Sequence, residues 1–138
     1  MEATKVNIET KISADLKKVW DYYTQPKHIT NWNAASDDWC CPKAENNLRE
    51  GGKYMARMEA KDGSMGFDFE AVYDKVDELK HISYTLADGR QVTIDFEEAS
   101  DVVNVVIAFD AESQNSIEIQ RKGWQAILNN FKKYTEEN

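Results

Sequence analysis

Cysteine, histidine and proline are scarce in this sequence, at two residues each among 138. Cys40 and Cys41 are adjacent, so they cannot join distant parts of the chain in the disulfide framework typical of small secreted proteins. His28 and His81 lie far apart, and no Cys-x-x-Cys pair accompanies them. A metal site needs several such ligands at close spacing, so we expect neither a metal nor another cofactor.

Positive charge and long apolar runs are also in short supply. The chain has 17 Lys and Arg residues against 25 Asp and Glu residues, a formal net charge of -8. No predicted face carries a basic cluster, which argues against a nucleic-acid partner. No run approaches the roughly 18 apolar residues of a membrane span, and the N-terminus lacks a signal-peptide pattern. These absences, with a length typical of one domain, predict a single cytoplasmic domain over residues 1–138.

Catalytic motifs are equally sparse. The Gly-x-Ser-x-Gly pattern of a hydrolase nucleophile is absent. His28 and His81 are predicted to be surface or hydrogen-bonded polar residues, and the two cysteines to be unreactive thiols. Asp68 and Glu70 alternate with aromatic residues along one predicted strand, so their carboxylates are expected on its outer side. The sequence therefore offers no candidate catalytic residue.

The first part of the chain predicts one strand and two short helices. The strand is indicated by apolar and polar residues that alternate around Val6, Ile8, Thr10 and Ile12. The next helix has an apolar stripe at helical spacing, formed by Leu16, Val19, Trp20 and Tyr23. Ser13 is predicted to cap this helix. Pro26 ends it and starts a second helix with Ile29 and Trp32, because proline is well tolerated at a first helical position.

The middle of the chain predicts a series of antiparallel strands. They span residues 53–60, 66–76, 81–86, 90–97 and 102–110. Asp88 and Gly89 form a strong hairpin signal between two of these strands. No period is sustained from residue 33 to 50, so this segment is expected to be irregular, with a short strand near its end.

The last part of the chain predicts one long amphipathic helix. Its apolar residues at helical spacing are Ile117, Trp124, Ile127, Leu128, Phe131 and Tyr134. This stripe must pack against the sheet, and Gly123 is expected to let the helix approach the sheet closely. The order of elements predicts an α+β fold with helices on one side of an antiparallel sheet.

Strand parity predicts which side chains face the long helix. In the later strands the inward set is Phe67, Phe69, Ala71, Tyr73, Ile82, Tyr84, Leu86, Val92, Ile94, Phe96, Val103, Val105, Ile107 and Phe109. In the strand over residues 53–60 two parities compete, and we favour Tyr54, Ala56 and Met58 as inward over Met55 and Arg57. The opposite parity would place the Arg57 guanidinium inside, where it could hold an anionic ligand group.

These residues, taken in order, resemble the SRPBCC or START-like superfamily. The pieces that carry the resemblance are Val19-Trp20-Asp21, Thr24, Pro26, Ile29, Trp32, Gly51-Gly52-Lys53-Tyr54, Gly66-Phe67, Phe69, Tyr73, Gly123-Trp124, Ile127-Leu128 and Phe131. Within the superfamily, the chain is similar to single-domain proteins that resemble the C-terminal domain of the activator of the heat-shock protein 90 ATPase. The resemblance implies a helix-grip fold: a curved antiparallel sheet around a long C-terminal helix, with two short helices after the first strand.

The resemblance also implies candidate functions. Superfamily members bind lipids, sterols or aromatic compounds in an apolar cavity, some are cyclases or hydrolases, and a subset stimulates a chaperone. We therefore expect a small hydrophobic or aromatic ligand between the last helix and the sheet. Its predicted contacts are Trp32, Trp39, Tyr54, Met58, Phe67, Phe69, Tyr84, Ile94, Trp124 and Leu128. Trp32 and Trp39 are expected near the mouth of this cavity.

Other interpretations stay open at this point. Trp124 and its aromatic neighbours could instead fill a close-packed core, since protein interiors leave few voids larger than a water molecule. In that case the chain would act through its surface, as a protein-interaction module with a chaperone partner. A superfamily-type cyclase or hydrolase is the third alternative, for which the sequence offers no internal polar group.

Overall fold

A seven-stranded antiparallel sheet forms the frame of the molecule, which a computed structural model describes over residues 4–138. The elements follow in the order β1 (Lys5–Ile12), α1 (Leu16–Thr24), α2 (Pro26–Trp32), β2 (Trp39–Asn46), β3 (Lys53–Ala60), β4 (Gly66–Asp77), β5 (His81–Leu86), β6 (Gln91–Ala99), β7 (Val102–Asp110) and α3 (Ile117–Glu137). The strands lie side by side as β1-β7-β6-β5-β4-β3-β2. The sheet is curled around α3, so the predicted α+β helix-grip fold is confirmed.

Short turns produce this strand order, because each strand from β2 to β6 pairs with the next strand along the chain. The predicted β5–β6 turn contains Gly89 at a φ of 93°, a conformation that glycine adopts without steric strain. β1 completes the sheet by pairing with β7, so that Val6 lies opposite Phe109. The five strands predicted between residues 53 and 110 are confirmed, with ends that differ by at most two residues.

The segment from residue 33 to 50 is more regular than its sequence predicts. β2 occupies its middle as an edge strand beside β3, whereas the sequence predicts only a short strand near the end of the segment. Pro42 obscures the strand signal, because proline lacks an amide donor and is confined to edge strands and bulges. The β2–β3 register shifts between Cys40 and Lys43, and this irregularity accommodates Pro42 at the edge of the sheet.

Asp15, and not Ser13, caps α1. Asp15 Oδ1 accepts a hydrogen bond from the Lys18 amide at 2.8 Å. Ser13 donates its backbone N–H to Glu136 Oε2 on α3, also at 2.8 Å. The prediction that Ser13 caps α1 is therefore wrong. Serine and aspartate both cap helices, so the sequence alone does not distinguish them. The path of the backbone places Asp15 at the cap position. Pro26 begins α2, as predicted.

The long helix α3 begins at a Ser116 cap, whose hydroxyl oxygen accepts from the Ile119 amide at 3.1 Å. Leu128 and Phe131 of its apolar stripe are buried. Gly123 does not bring the helix close to the sheet, since a Cβ atom at this position would meet no atom within 4 Å. The expectation of close approach at Gly123 is therefore wrong.

The core follows the predicted parity. On β3 the side chains of Tyr54, Ala56 and Met58 point inward and are at most 9% exposed, so the favoured parity is confirmed. The predicted inward residues of the last three strands are buried as well: Ile82, Tyr84, Leu86, Val92, Ile94, Phe96, Val103, Val105, Ile107 and Phe109. Phe67 is 51% exposed, because it lies near the turn between β3 and β4.

The outer surface of the sheet is polar. Asp68 and Glu70 are exposed there, as the alternation along β4 predicts. Among residues 4–138, none of the helices combines the length and the apolar character required to cross a membrane.

Candidate ligand-binding cavity

A cavity of about 280 Å³ lies between α3 and the concave face of the sheet. Trp124, Ile127 and Leu128 of α3 form one wall, and side chains of β3, β4, β5 and β7 form the opposite wall. Tyr23 of α1 and Trp32 of α2 also line the cavity. An apolar cavity of roughly 150 Å³ holds one benzene molecule. This cavity therefore has room for a molecule of about two rings.

Eight of the ten residues predicted to contact a ligand line this cavity. They are Trp32, Tyr54, Met58, Phe67, Phe69, Tyr84, Trp124 and Leu128. Ile94 is 0% exposed and lies in the core, away from the cavity lining. Trp39 lies on the edge strand β2 and packs against the Phe67 ring, with centroids 6.2 Å apart. The part these residues play in binding stays a prediction.

The mouth of the cavity lies beside the turn between β3 and β4. Phe67 lines the cavity and yet is 51% exposed, and the neighbouring Met65 is 65% exposed. Trp124 is half-buried and meets the edge of the Phe69 ring at a centroid distance of 6.2 Å. The aromatic lining therefore extends from the solvent-facing turn to the middle of α3.

Four tyrosines contribute to the lining, and we call them the tyrosine cluster: Tyr23, Tyr54, Tyr73 and Tyr84. The ring centroids of the last three are 6.0 to 6.4 Å apart. Burial raises the pKa of all four phenols above the ordinary value of 10.0. The cluster is therefore a group of neutral hydroxyls facing one region.

Two asparagines hold part of this cluster in place. Tyr73 donates its hydroxyl hydrogen to Asn46 Oδ1 at 2.5 Å, and Asn46 Nδ2 donates to the Thr24 carbonyl oxygen at 2.6 Å. Asn33 Nδ2 donates to the Tyr54 hydroxyl oxygen at 3.4 Å. The hydroxyls of Tyr23 and Tyr84 have no hydrogen-bond partner among residues 4–138 and are available to a bound molecule.

The charged residue at the cavity is Arg90, and not Arg57. Arg57 faces outward, where its Nε lies 2.9 Å from Glu59 Oε2 and its Nη1 lies 3.3 Å from Asp68 Oδ1. An inward Arg57 is therefore excluded by the observed parity of β3. Arg90 lines the cavity, and its Nε lies 2.7 Å from Asp88 Oδ2.

Two lining residues that were not predicted could have been found from the same strand and helix patterns. Arg90 precedes β6 with the parity of the inward Val92, and Tyr23 belongs to the apolar stripe of α1. Asn33 and Asn46 gave no such signal, because they lie in the segment without sustained period. Their positions depend on how that segment folds against α1 and β3.

The residues that usually perform acid–base or nucleophilic chemistry lie outside the cavity. Among the described residues that line it, none is Asp, Glu, His, Lys or Cys. His28 Nδ1 lies 2.7 Å from the Tyr134 hydroxyl, and His81 Nδ1 lies 2.6 Å from Asp95 Oδ1 on the sheet. Cys41 is buried, and burial raises the pKa of its thiol. The cavity offers phenols, amides and one guanidinium.

Solved structures of other proteins share this fold. The AHSA1-like protein from Aeromonas hydrophila is 38% identical, with a TM-score of 0.91 over 97% of this chain and 93% of that chain. A protein from Cytophaga hutchinsonii is 48% identical, with a TM-score of 0.84 over the same shares of the two chains. A protein from Chromobacterium violaceum, at 20% identity and a TM-score of 0.87, shares the fold over 98% of this chain and 99% of its own.

The sequence also matches one known protein family. No significant match to a curated protein was found. The family described as Activator of Hsp90 ATPase homolog 1-like protein matches residues 13–136, which include every helix and all strands except β1. The superfamily resemblance seen in the sequence is confirmed, and the chain belongs to the family of Activator of Hsp90 ATPase homolog 1-like proteins.

Proposed function

We propose that this protein binds a small apolar or aromatic molecule in the cavity between α3 and the sheet. The observation that carries the proposal is the 280 Å³ of space enclosed by aromatic and aliphatic side chains. Protein interiors normally leave few voids larger than one water molecule. A space of this size beneath an apolar lining therefore supports a functional reason for the cavity.

Apolar burial alone supports only modest affinity. Aromatic side chains bury about 150–250 Å² each, and a two-ring aromatic molecule is of similar size. At about 25 cal/mol per Å² this contributes about 4–6 kcal/mol, before the loss of translational and rotational freedom on binding. A dissociation constant of about 1 mM corresponds to roughly 4 kcal/mol. Polar contacts from the lining are therefore needed for tight binding.

The direct test is a titration of isotope-labelled protein with fatty acids, sterols, flavonoids and small aromatics, followed by amide NMR shifts. The expected result is a saturable set of shifts at Phe69, Tyr84 and Trp124, because these residues line the cavity. Shifts that do not saturate, or that spread evenly over the surface, would count against a ligand-binding role.

A matched pair of variants localises the binding site. Met58 lies inside the cavity, whereas Met55 belongs to the same strand with the opposite parity. Met58→Trp should fill the cavity and abolish the saturable shifts. Met55→Trp should add the same volume outside the cavity and leave the saturable shifts unchanged. Both variants are first checked for an unaltered far-ultraviolet circular dichroism spectrum.

A second candidate function follows from the family match. The family description names activators of the Hsp90 ATPase, so a chaperone partner is the alternative to a small ligand. Such a module would act through its surface, and analogy of fold is weak support for it. The test is the ATPase rate of a purified Hsp90 with and without this protein. Stimulation that survives in Met58→Trp would favour the interaction module.

An enzyme of the cyclase or hydrolase type has less support. Such chemistry needs a proton donor or acceptor matched to neutral pH beside the substrate. Burial raises the pKa of the hydroxyls of the tyrosine cluster, so they stay protonated at neutral pH and cannot accept a proton there. Turnover of a bound compound in the NMR titration would overturn this preference.

A further inference from the structure

We infer that the bound molecule is uncharged and presents a hydroxyl or carbonyl oxygen to the tyrosine cluster. This inference rests on the proposed ligand-binding function and specifies the chemical class of the ligand. It combines the arrangement of the phenols with the charges around the cavity.

The tyrosine cluster supplies hydrogen-bond donors in one region of an apolar cavity. Tyr84 is 5% exposed, and its hydroxyl has no partner among residues 4–138. The Tyr23 hydroxyl is likewise without a partner there, and Tyr54 keeps its hydrogen free because its oxygen accepts from Asn33. These hydroxyls border the cavity, where water or a ligand can reach them. An oxygen atom of a ligand would satisfy these donors in the bound state.

The hydrogen bonds that the tyrosine cluster already makes determine which of its hydroxyl donors and acceptors are left for a ligand. Tyr73 uses its hydrogen on Asn46 Oδ1, so its oxygen is left as an acceptor. Tyr23, Tyr54 and Tyr84 are left as donors. A hydroxyl group can engage both kinds, and a carbonyl oxygen can engage the donors. A purely apolar molecule would leave all of them unsatisfied.

The charges around the cavity disfavour an anionic ligand. Arg90 is the charged residue among the described residues that line it, and its Nε lies 2.7 Å from Asp88 Oδ2. Arg90 is also a minor electrostatic cause of the lowered pKa of Asp110 and of Glu112, so further acidic groups lie in its vicinity. The Asp88 carboxylate thus already offsets the positive charge of Arg90. A carboxylate moved from water into the cavity would lose hydration without gaining a free cation.

The size of the cavity limits the ligand further. Its 280 Å³ accommodates about two rings, by comparison with the roughly 150 Å³ that holds benzene. Two fused rings with one oxygen substituent match both the volume and the polar end. The inferred class is therefore a neutral two-ring aromatic or alicyclic molecule with a hydroxyl or carbonyl group.

Three probes with one skeleton test this inference: naphthalene, 2-naphthol and 2-naphthoate. Their dissociation constants are measured at neutral pH by isothermal titration calorimetry and by NMR titration of the intact protein. We expect 2-naphthol to bind about fivefold more tightly than naphthalene, the factor that corresponds to one net hydrogen bond. We expect 2-naphthoate to bind at least about tenfold more weakly than 2-naphthol, because its charge loses hydration.

Conservative variants test whether the tyrosine cluster causes the preference for 2-naphthol over naphthalene. Tyr84→Phe removes one hydroxyl that has no protein partner, so the fold is expected to persist. It should reduce the advantage of 2-naphthol over naphthalene and leave naphthalene binding unchanged. Tyr22→Phe is the matched control, because Tyr22 donates to the Asn138 carbonyl oxygen outside the cavity. It should change neither affinity.

The results of these titrations distinguish a failure of this inference from a failure of the proposed function. Equal affinity for naphthalene and 2-naphthol, or tight binding of 2-naphthoate, would overturn the inference and leave a ligand-binding cavity. A loss in Tyr84→Phe that is equal for naphthalene and 2-naphthol would also overturn it, since a packing change would then explain the loss. Absence of binding by all three probes would contradict the inference and the two-ring form of the proposed function together.

Discussion

The indole of Trp124 stacks on the ring of Phe109, with centroids 4.2 Å apart and planes inclined by 10°. Phe109 belongs to β7 and is 0% exposed, so this contact joins α3 to the centre of the core. Trp124 also lines the cavity. One residue thus anchors the helix and forms part of the wall of the candidate binding site. Trp124 therefore takes part in the core contacts and in the lining of the cavity.

Replacing Trp124 should change the size of molecule that the cavity accepts. Trp124→Leu removes much of the indole, so we expect a loss of about 2–4 kcal/mol in the free energy of unfolding. We also expect a shift in preference from two-ring to three-ring aromatics. Urea denaturation and titration with naphthalene and phenanthrene measure the two effects.

Trp39→Leu is the control for this experiment, because Trp39 contacts Phe67 without lining the cavity. It should leave the size preference unchanged. A shift in preference as large as that of Trp124→Leu would contradict the proposed position of the ligand.

The two candidate caps of α1 should differ clearly in their effect on stability. Asp15→Ala removes the side-chain acceptor for the Lys18 amide, and loss of an N-cap lowers stability by about 1 kcal/mol. Ser13→Ala keeps the backbone N–H that donates to Glu136, so its effect should stay within about 0.5 kcal/mol. Chemical denaturation of both variants checks the cap assignment. A larger loss in Ser13→Ala than in Asp15→Ala would reverse it.

Gly123→Ala should stabilise the protein. Glycine inside a helix is less favourable than alanine by about 0.5–1 kcal/mol, and the added Cβ would meet no atom within 4 Å. A rise in the midpoint of thermal unfolding is the expected result. Gly52→Ala provides the contrast, because its Cβ would lie 2.0 Å from the Asn47 carbonyl oxygen and the backbone would have to move. Destabilisation by Gly123→Ala would show that this position is constrained after all.

Stability should fall in alkaline solution because of the tyrosine cluster. Burial raises the pKa of Tyr54 and Tyr84 well above 10.0, so the unfolded chain loses these protons first as pH rises. The stabilisation is fully present below about pH 10 and decreases above it, by about 1.4 kcal/mol per pH unit for each such phenol. Urea denaturation from neutral to alkaline pH measures the slope. Tyr84→Phe should make it shallower, and an unchanged slope would argue against burial of this hydroxyl.

Several features of the fold could be predicted from short sequence patterns. Period-two alternation identifies the strands and the inward faces that carry Met58 and Tyr84, because side chains alternate along any extended chain. Helical spacing identifies α3 and places Trp124 on its buried side. The extent of β2 was not predicted, since Pro42 and a register shift break its alternation and only a short strand near the end of the segment from residue 33 to 50 was expected. Local periodicity fails where the backbone is irregular.

The sequence by itself determined which side chains would face one another: the aromatic faces of the strands and the stripe of α3. Only the tertiary structure decided that these layers enclose a cavity, since the separation of a helix and a sheet depends on all contacts between them at once. It also brought Tyr23 of α1 and Tyr84 of β5 to the same cavity and placed Arg90, paired with Asp88, at the lining. Such groups are distant along the chain, so periodicity carries no information about where they meet.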